Sequence, residues 1–196
     1  MEKRNILFVM SSLRNGGAER SLVNLLQLLD YDRYNVDLLL FQNEGMFLKQ
    51  VPKEVNIISN CNKLYTLYDN NKTEALKHPY LSVVHMIGTF ISRKKTNSVA
   101  KSRQYRWEHF YKKIIPELTK EYDVAIAYMQ REQTYFLVDK VKATKKIAWV
   151  HNEYSQLGHF KEMDLEYFEK VDKVVTISDL CAKDLKKNFP SIAEKF

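Results

Sequence analysis

Six short apolar runs, at 5–10, 35–41, 55–58, 123–128, 145–150 and 173–177, punctuate this chain, and stretches with turn or helical character separate them. Several of these runs are apolar almost throughout, Ile6-Leu7-Phe8-Val9-Met10 most clearly. A strand with one wet face alternates apolar and polar residues, whereas a strand covered on both faces does not. Near-continuous strands that alternate with helices imply parallel neighbours, because parallel strands need long crossover connections. The expected fold class is therefore α/β, a parallel sheet with helices on both faces.

Helices are expected at 18–29, 133–141, 161–170 and 179–188, with a short one at 46–50. Ser178 reads as the N-cap of the last helix, which Pro190 ends. The middle of the chain breaks the alternation. Residues 61–92 are irregular and asparagine-rich near 69–71, then helical from Thr73 with a break at His78-Pro79, and a second helix spans 98–120, closed near Pro116. Residues 60–120 thus read as a variable helical insertion in a single domain of residues 1–190.

Composition removes several function classes. The two cysteines, Cys61 and Cys181, form no C-x-x-C pair, which argues against a zinc site or a disulfide framework and suits reduced thiols in a cytoplasmic protein. No stretch approaches the roughly 18 apolar residues of a membrane span. The apolar run after Met1-Glu2-Lys3-Arg4 is broken by Arg14 and Asn15 and reads as a strand rather than a signal peptide. The net charge of +7 resides in one place: residues 91–120 carry Arg93, Lys94, Lys95, Lys101, Arg103, Arg106, Lys112, Lys113 and Lys120 against only Glu108 and Glu117. Tyr105, Trp107, Phe110 and Tyr111 are interleaved with them. Such a helix suits an anionic membrane surface, with Trp107 among the facing residues. The same pattern would suit nucleic acid, or a solvated basic helix whose aromatics face the core.

The richest local signal follows the first strand. Ser11-Ser12-Leu13-Arg14-Asn15-Gly16-Gly17 leads into Ala18-Glu19-Arg20-Ser21, a strand, glycine turn and helix in succession. Glycines allow close backbone approach, and unpaired N–H groups at a helix start favour an anion. The adjacent glycines fit neither the dinucleotide fingerprint nor the phosphate loop of nucleotide triphosphatases, and a plain tight turn is the other reading. Topology brings the loops 11–17, 129–131 and 151–154 to one edge of a parallel sheet, where open α/β sheets bind ligands.

Four stretches in this order, ILFVMSSLRNGGAERSLVNLL, YNVDLLLF, KKIAWVHNEYS and KVVTISDLCAKDL, resemble the N-terminal, acceptor-side domain of retaining GT-B glycosyltransferases of family 4 ("group 1"). The resemblance runs from about residue 5 to 190. It implies a Rossmann-like sheet and transfer of a sugar from a nucleotide-sugar to a saccharide or lipid-linked acceptor in surface polysaccharide or glycolipid synthesis. The anomeric configuration would be retained, with no cofactor and no metal. On this resemblance His151 faces the reacting sugar as the catalytic residue, Gly16 and Gly17 lie against the donor diphosphate, and Arg14, Met129, Asn152 and Glu153 are acceptor-side candidates. Family members also carry a second, donor-binding domain with a paired-glutamate motif. Residues 191–196 would begin the linker to it, and the present chain alone would be inert. The expected partners are that donor domain, the nucleotide-sugar, the acceptor and an anionic membrane at the cytoplasmic face, rather than nucleic acid. The rival readings are a GT-B-like sugar-nucleotide epimerase or phosphorylase, and a stand-alone module that grips a polyanion, lipid or RNA through its basic helix.

Overall fold

A computed structural model describes residues 2–58, 62–68 and 76–196. Cys61, the asparagine-rich stretch 69–71 and the helix start expected at Thr73 lie outside the described residues. Six strands form one all-parallel sheet: β1 (Arg4–Met10), β2 (Tyr34–Leu40), β3 (Asn56–Ile58), β4 (Glu121–Ala127), β5 (Lys142–Val150) and β6 (Lys173–Thr176). Their order is β3-β2-β1-β4-β5-β6, so the sheet is Rossmann-like. The chain winds outward from β1 in one direction and returns to wind outward from β4 in the other. The reversal leaves a crevice beyond the C-terminal ends of β1 and β4.

The strands are apolar through their C-terminal halves because each side of the sheet has its own core. Side chains alternate across a strand, and β1 sends Leu7 and Val9 to one face and Phe8 and Met10 to the other. On the second face lies α1 (Gly17–Leu28), which buries Leu22, Val23 and Leu26. On the first lie α5 (Glu132–Lys140) and α6 (Lys161–Glu169), through Tyr135, Phe136, Tyr167 and Phe168. The last helix, α7 (Asp179–Asn188), begins at Ser178, whose Oγ accepts from the Cys181 amide at 3.2 Å, as an N-cap should.

The insertion is helical as expected, with α2 (Asn62–Tyr68), α3 (Pro79–Lys95) and α4 (Val99–Arg106). α4 runs on through a π-helical turn at Trp107–Tyr111 and a last turn at Lys112–Ile114. It stops at Ile115, which the following Pro116 holds in extended conformation.

The packing of α4 corrects the reading of its residues as membrane-facing. Trp107 is fully buried, with its Nε1 donating to Asp139 at 3.0 Å. Arg103 turns inward to Glu132 at 2.5 Å, and Arg106 bonds Ser92 at 3.3 Å. Lys101 lies against the Phe160 ring, and Lys112 against Tyr167 and Glu108. Arg93, Lys94, Lys95 and Lys113 alone among the candidates remain exposed. An aromatic-rich helix laid on a sheet gains more by burying its rings in the core than by presenting them to water.

A buried carboxylate locks the insertion to the sheet. Asp164 of α6 accepts from Gln104 Nε2 at 3.1 Å, Tyr154 Oη at 2.7 Å and His159 Nδ1 at 2.7 Å, and also from the Tyr135 hydroxyl. Residues 190–196 fold as 3-10 turns against the domain. Ile192 is buried, and Lys195 Nζ reaches the carbonyls of Glu169 and Val171 at 2.7 and 2.8 Å. Among the described residues no helix is long and apolar enough to cross a membrane.

Candidate functional site

Beyond the C-terminal ends of β1, β4, β5 and β6 lies an open cleft of about 460 Å³, lined by Gly17, Ala18, Glu19, Ser21, Met129, Trp149, His151, Asn152 and Ile177. The strand-end convergence expected from topology therefore holds for Gly17, Met129, His151 and Asn152. Two expected residues are turned elsewhere. Arg14 pairs with Glu44 on the neighbouring loop, and Glu153 accepts from Gln156 Nε2 at 2.6 Å at the start of a 3-10 turn. The loop after β5 is itself fastened, because the Ser155 amide donates to Asp184 of α7 at 2.9 Å.

His151 is half-buried at the end of β5. Its Nε2 lies 3.1 Å from the Tyr128 carbonyl oxygen. A carbonyl only accepts, so Nε2 carries the hydrogen and Nδ1 is left as an acceptor. Burial lowers the imidazole pKa, and the Tyr128 bond opposes that shift only in part. At neutral pH the ring is therefore uncharged. Its backbone amide donates to Gln130 Oε1 at 3.2 Å, which fixes the entry to the loop.

An aromatic wall stands beside it. The Trp149 and His151 planes are 12° apart with centroids at 5.9 Å, and the Tyr128 ring packs 4.5 Å from Trp149 and 5.3 Å from His151. The Tyr128 hydroxyl and Ser21 Oγ are 3.0 Å apart, which ties this wall to α1. Trp149 was legible in principle: it precedes His151 by two residues and so shares its side of the strand.

At the start of α1 the geometry departs from the expected phosphate cradle. Gly16 is the N-cap, and a Cβ placed on it would overlap the Glu19 carboxylate. Glu19, three residues into the helix, thus folds back over the helix start in the manner of a capping-box residue. The negative group that the helix end attracts is one the chain supplies itself. The lining contains no lysine or arginine, so an entering phosphate would meet this carboxylate and no cation. The β1–α1 loop rests on a different glycine, Gly45. Its φ is +129°, and a Cβ there would fall on the Leu13 backbone. That close approach lets Leu13 exchange backbone hydrogen bonds with Glu44 and Phe47 at 2.9 and 3.1 Å.

On the far side of His151, the β4–α5 turn is strained. Arg131 has φ +74°, unusual outside glycine, at the N-cap of α5. Glu132 beside it is buried. Burial alone would raise its carboxyl pKa, but the Arg103 guanidinium, with Arg131, overrides this and holds it below the usual range. No group of three or more potential metal ligands occurs among the described residues.

No protein-family model and no curated protein matches the chain. What the cleft can do follows from its own chemistry. It offers a carboxylate, an amide, a hydroxyl and a neutral imidazole acceptor around an indole, with no cation. That is a set of groups suited to a polyhydroxylated neutral ligand: the polar atoms take hydroxyl groups and the aromatic face takes the apolar side of a sugar ring.

Proposed function

We propose that this domain is the acceptor-side half of a retaining glycosyltransferase of the GT-B kind, acting on a saccharide or lipid-linked acceptor with a nucleotide-sugar donor. The observation that carries the reading is His151. It is a neutral imidazole fixed by Tyr128 at the end of β5, one strand from the sheet's switch point, with Nδ1 uncommitted and a cation-free cleft around it. An acceptor held against Trp149 and Asn152 would place a hydroxyl on Nδ1. The ring then orients that hydroxyl and accepts its hydrogen bond, which becomes stronger as charge develops during transfer. Met46, Ile177 and Leu180 are exposed by 63, 57 and 63% in segments that follow strand ends, and Ile177 also lines the cleft. A second domain closing over the sheet edge would cover apolar surface of this kind.

The departure at Glu19 refines the donor side. Its carboxylate and a donor phosphate compete for the start of α1, so the phosphate binds there only when Glu19 has turned away. The rival binding-module reading leaned on the basic helix, whose Arg103, Arg106 and Trp107 are committed inward.

The test is sugar transfer by the polypeptide encoded by the whole reading frame, screened by mass spectrometry over nucleotide-sugars. His151→Ala should lower kcat by about a hundredfold, the usual cost of one oriented hydrogen-bonding group, while leaving thermal stability close to wild type. Transfer by residues 1–196 alone, or a fully active His151→Ala enzyme, would overturn the proposal.

A further inference from the structure

We infer that α3 is a docking face for an anionic lipid bilayer. Its inner flank buries Leu81, Gly88 and Ser92. On the opposite flank Tyr80, Val83, Met86, Ile87 and Phe90 stand 66, 47, 64, 45 and 61% exposed. At about 100° per residue these five positions make one stripe roughly 120° wide, which is the apolar face of an amphipathic helix turned to solvent instead of to the core.

Charge identifies the occupant. From Leu76 through Trp107 the sequence has no acidic residue. Arg93 and Lys94 continue the apolar flank at the C-terminal end of the helix, and Lys94 Nζ sits 4.4 Å from the Phe90 ring centroid. Beside them is a shallow depression of about 540 Å³ lined by His85, Met86, Thr89, Phe90, Arg93 and Lys94. Two exposed cations beside an apolar stripe are what a phosphodiester headgroup and its acyl chains require together. A second copy of the chain fits less well, since a two-fold contact would set this face and its cations against themselves with no acid to neutralise them.

The experiment is co-sedimentation of the full chain with phosphatidylcholine vesicles, with and without phosphatidylglycerol, at low and high salt. The wild type should bind only the anionic vesicles and be released by salt. Arg93→Gln with Lys94→Gln should weaken binding about 25-fold, at about fivefold per cation. Met86→Ser with Phe90→Ser should weaken it about tenfold or more. These side chains are exposed, so both double variants should melt with the wild type. Equal binding to neutral vesicles, no binding to anionic ones at low salt, or binding indifferent to Met86→Ser with Phe90→Ser would each overturn the inference. So would a dimer in gel filtration that the same apolar variant dissociates while vesicles are ignored.

Discussion

Replacing Asp164 by alanine should be among the most destabilising single polar changes in this domain. Four buried or half-buried donors converge on the carboxylate: the Gln104 amide, the Tyr135 and Tyr154 hydroxyls and His159 Nδ1. They come from α4, α5, the loop after β5 and the approach to α6. Asp164 is 1% exposed, so no water replaces what is removed. Its charge also acts on its partners: burial, reinforced by the Asp164 carboxylate, pushes the Tyr135 and Tyr154 pKa values up. A donor left unmade in the interior costs about 1–3 kcal/mol. The Gln104 amide keeps the Tyr135 hydroxyl and the Phe160 carbonyl as acceptors, so three donors are left unmade and put the loss at about 3 kcal/mol or more, against a total stability of about 5–15 kcal/mol for an ordinary domain. Tyr154→Phe removes one donor and leaves the other three satisfied, so it should cost only about 1 kcal/mol. Urea unfolding followed by far-ultraviolet circular dichroism measures both, and the buried Trp107 supplies an independent fluorescence probe. The loop carrying His151 and Asn152 should also lose amide-exchange protection in Asp164→Ala. A loss below about 1 kcal/mol, or one no larger than that of Tyr154→Phe, would refute the argument that the insertion is held to the sheet through this carboxylate.

Other substitutions separate committed from free side chains. Arg103→Ala strips the buried Glu132 of its main counter-charge and should destabilise by about 3–5 kcal/mol, while Lys94→Ala should change chemical-denaturation midpoints little. Gly45→Ala meets both a positive φ and the Leu13 backbone and should cost more than about 2 kcal/mol. Gly16→Ala meets only the movable Glu19 side chain and should cost less than about 1 kcal/mol; thermal melts rank the pair. His85 and His151 both have pKa values lowered mainly by burial. Below an unfolded value near about 6.5 the unfolded chain takes up protons that the native state refuses. Stability should therefore be full above that pH and fall as pH drops through the lower native values. His85→Gln and His151→Gln should each flatten the decline in urea midpoint measured between about pH 7 and 5.

The elements that could be read in advance are those whose signal is local. Each strand contains an apolar run, and Ser178 is a cap followed by a helix. The order of strands and helices then forces the loops carrying Gly17, Met129, His151 and Asn152 to one sheet edge. What was misread depends on rotation about an axis. Trp107, Arg103 and Arg106 share a basic, aromatic helix with Lys101 and Lys113, and composition cannot say which flank meets the sheet. The π turn at Trp107–Tyr111 shifts the face by inserting an extra residue into the turn, which no simple periodicity anticipates. The exposed stripe of α3 was missed for the converse reason: its apolar residues look like core until the neighbours that might have covered them are placed.

The sequence by itself determined the parallel sheet and the edge at which a ligand can bind, since backbone hydrogen bonding and burial on two faces leave few other arrangements for such runs. Only the tertiary structure decided that Glu19 occupies the start of α1, that Gly45 rather than Gly16 carries the strained approach, and that Asp164 gathers donors from four segments. These are contacts between residues distant along the chain or turned by a single rotamer. Their energies exist only once the core has fixed where each backbone lies.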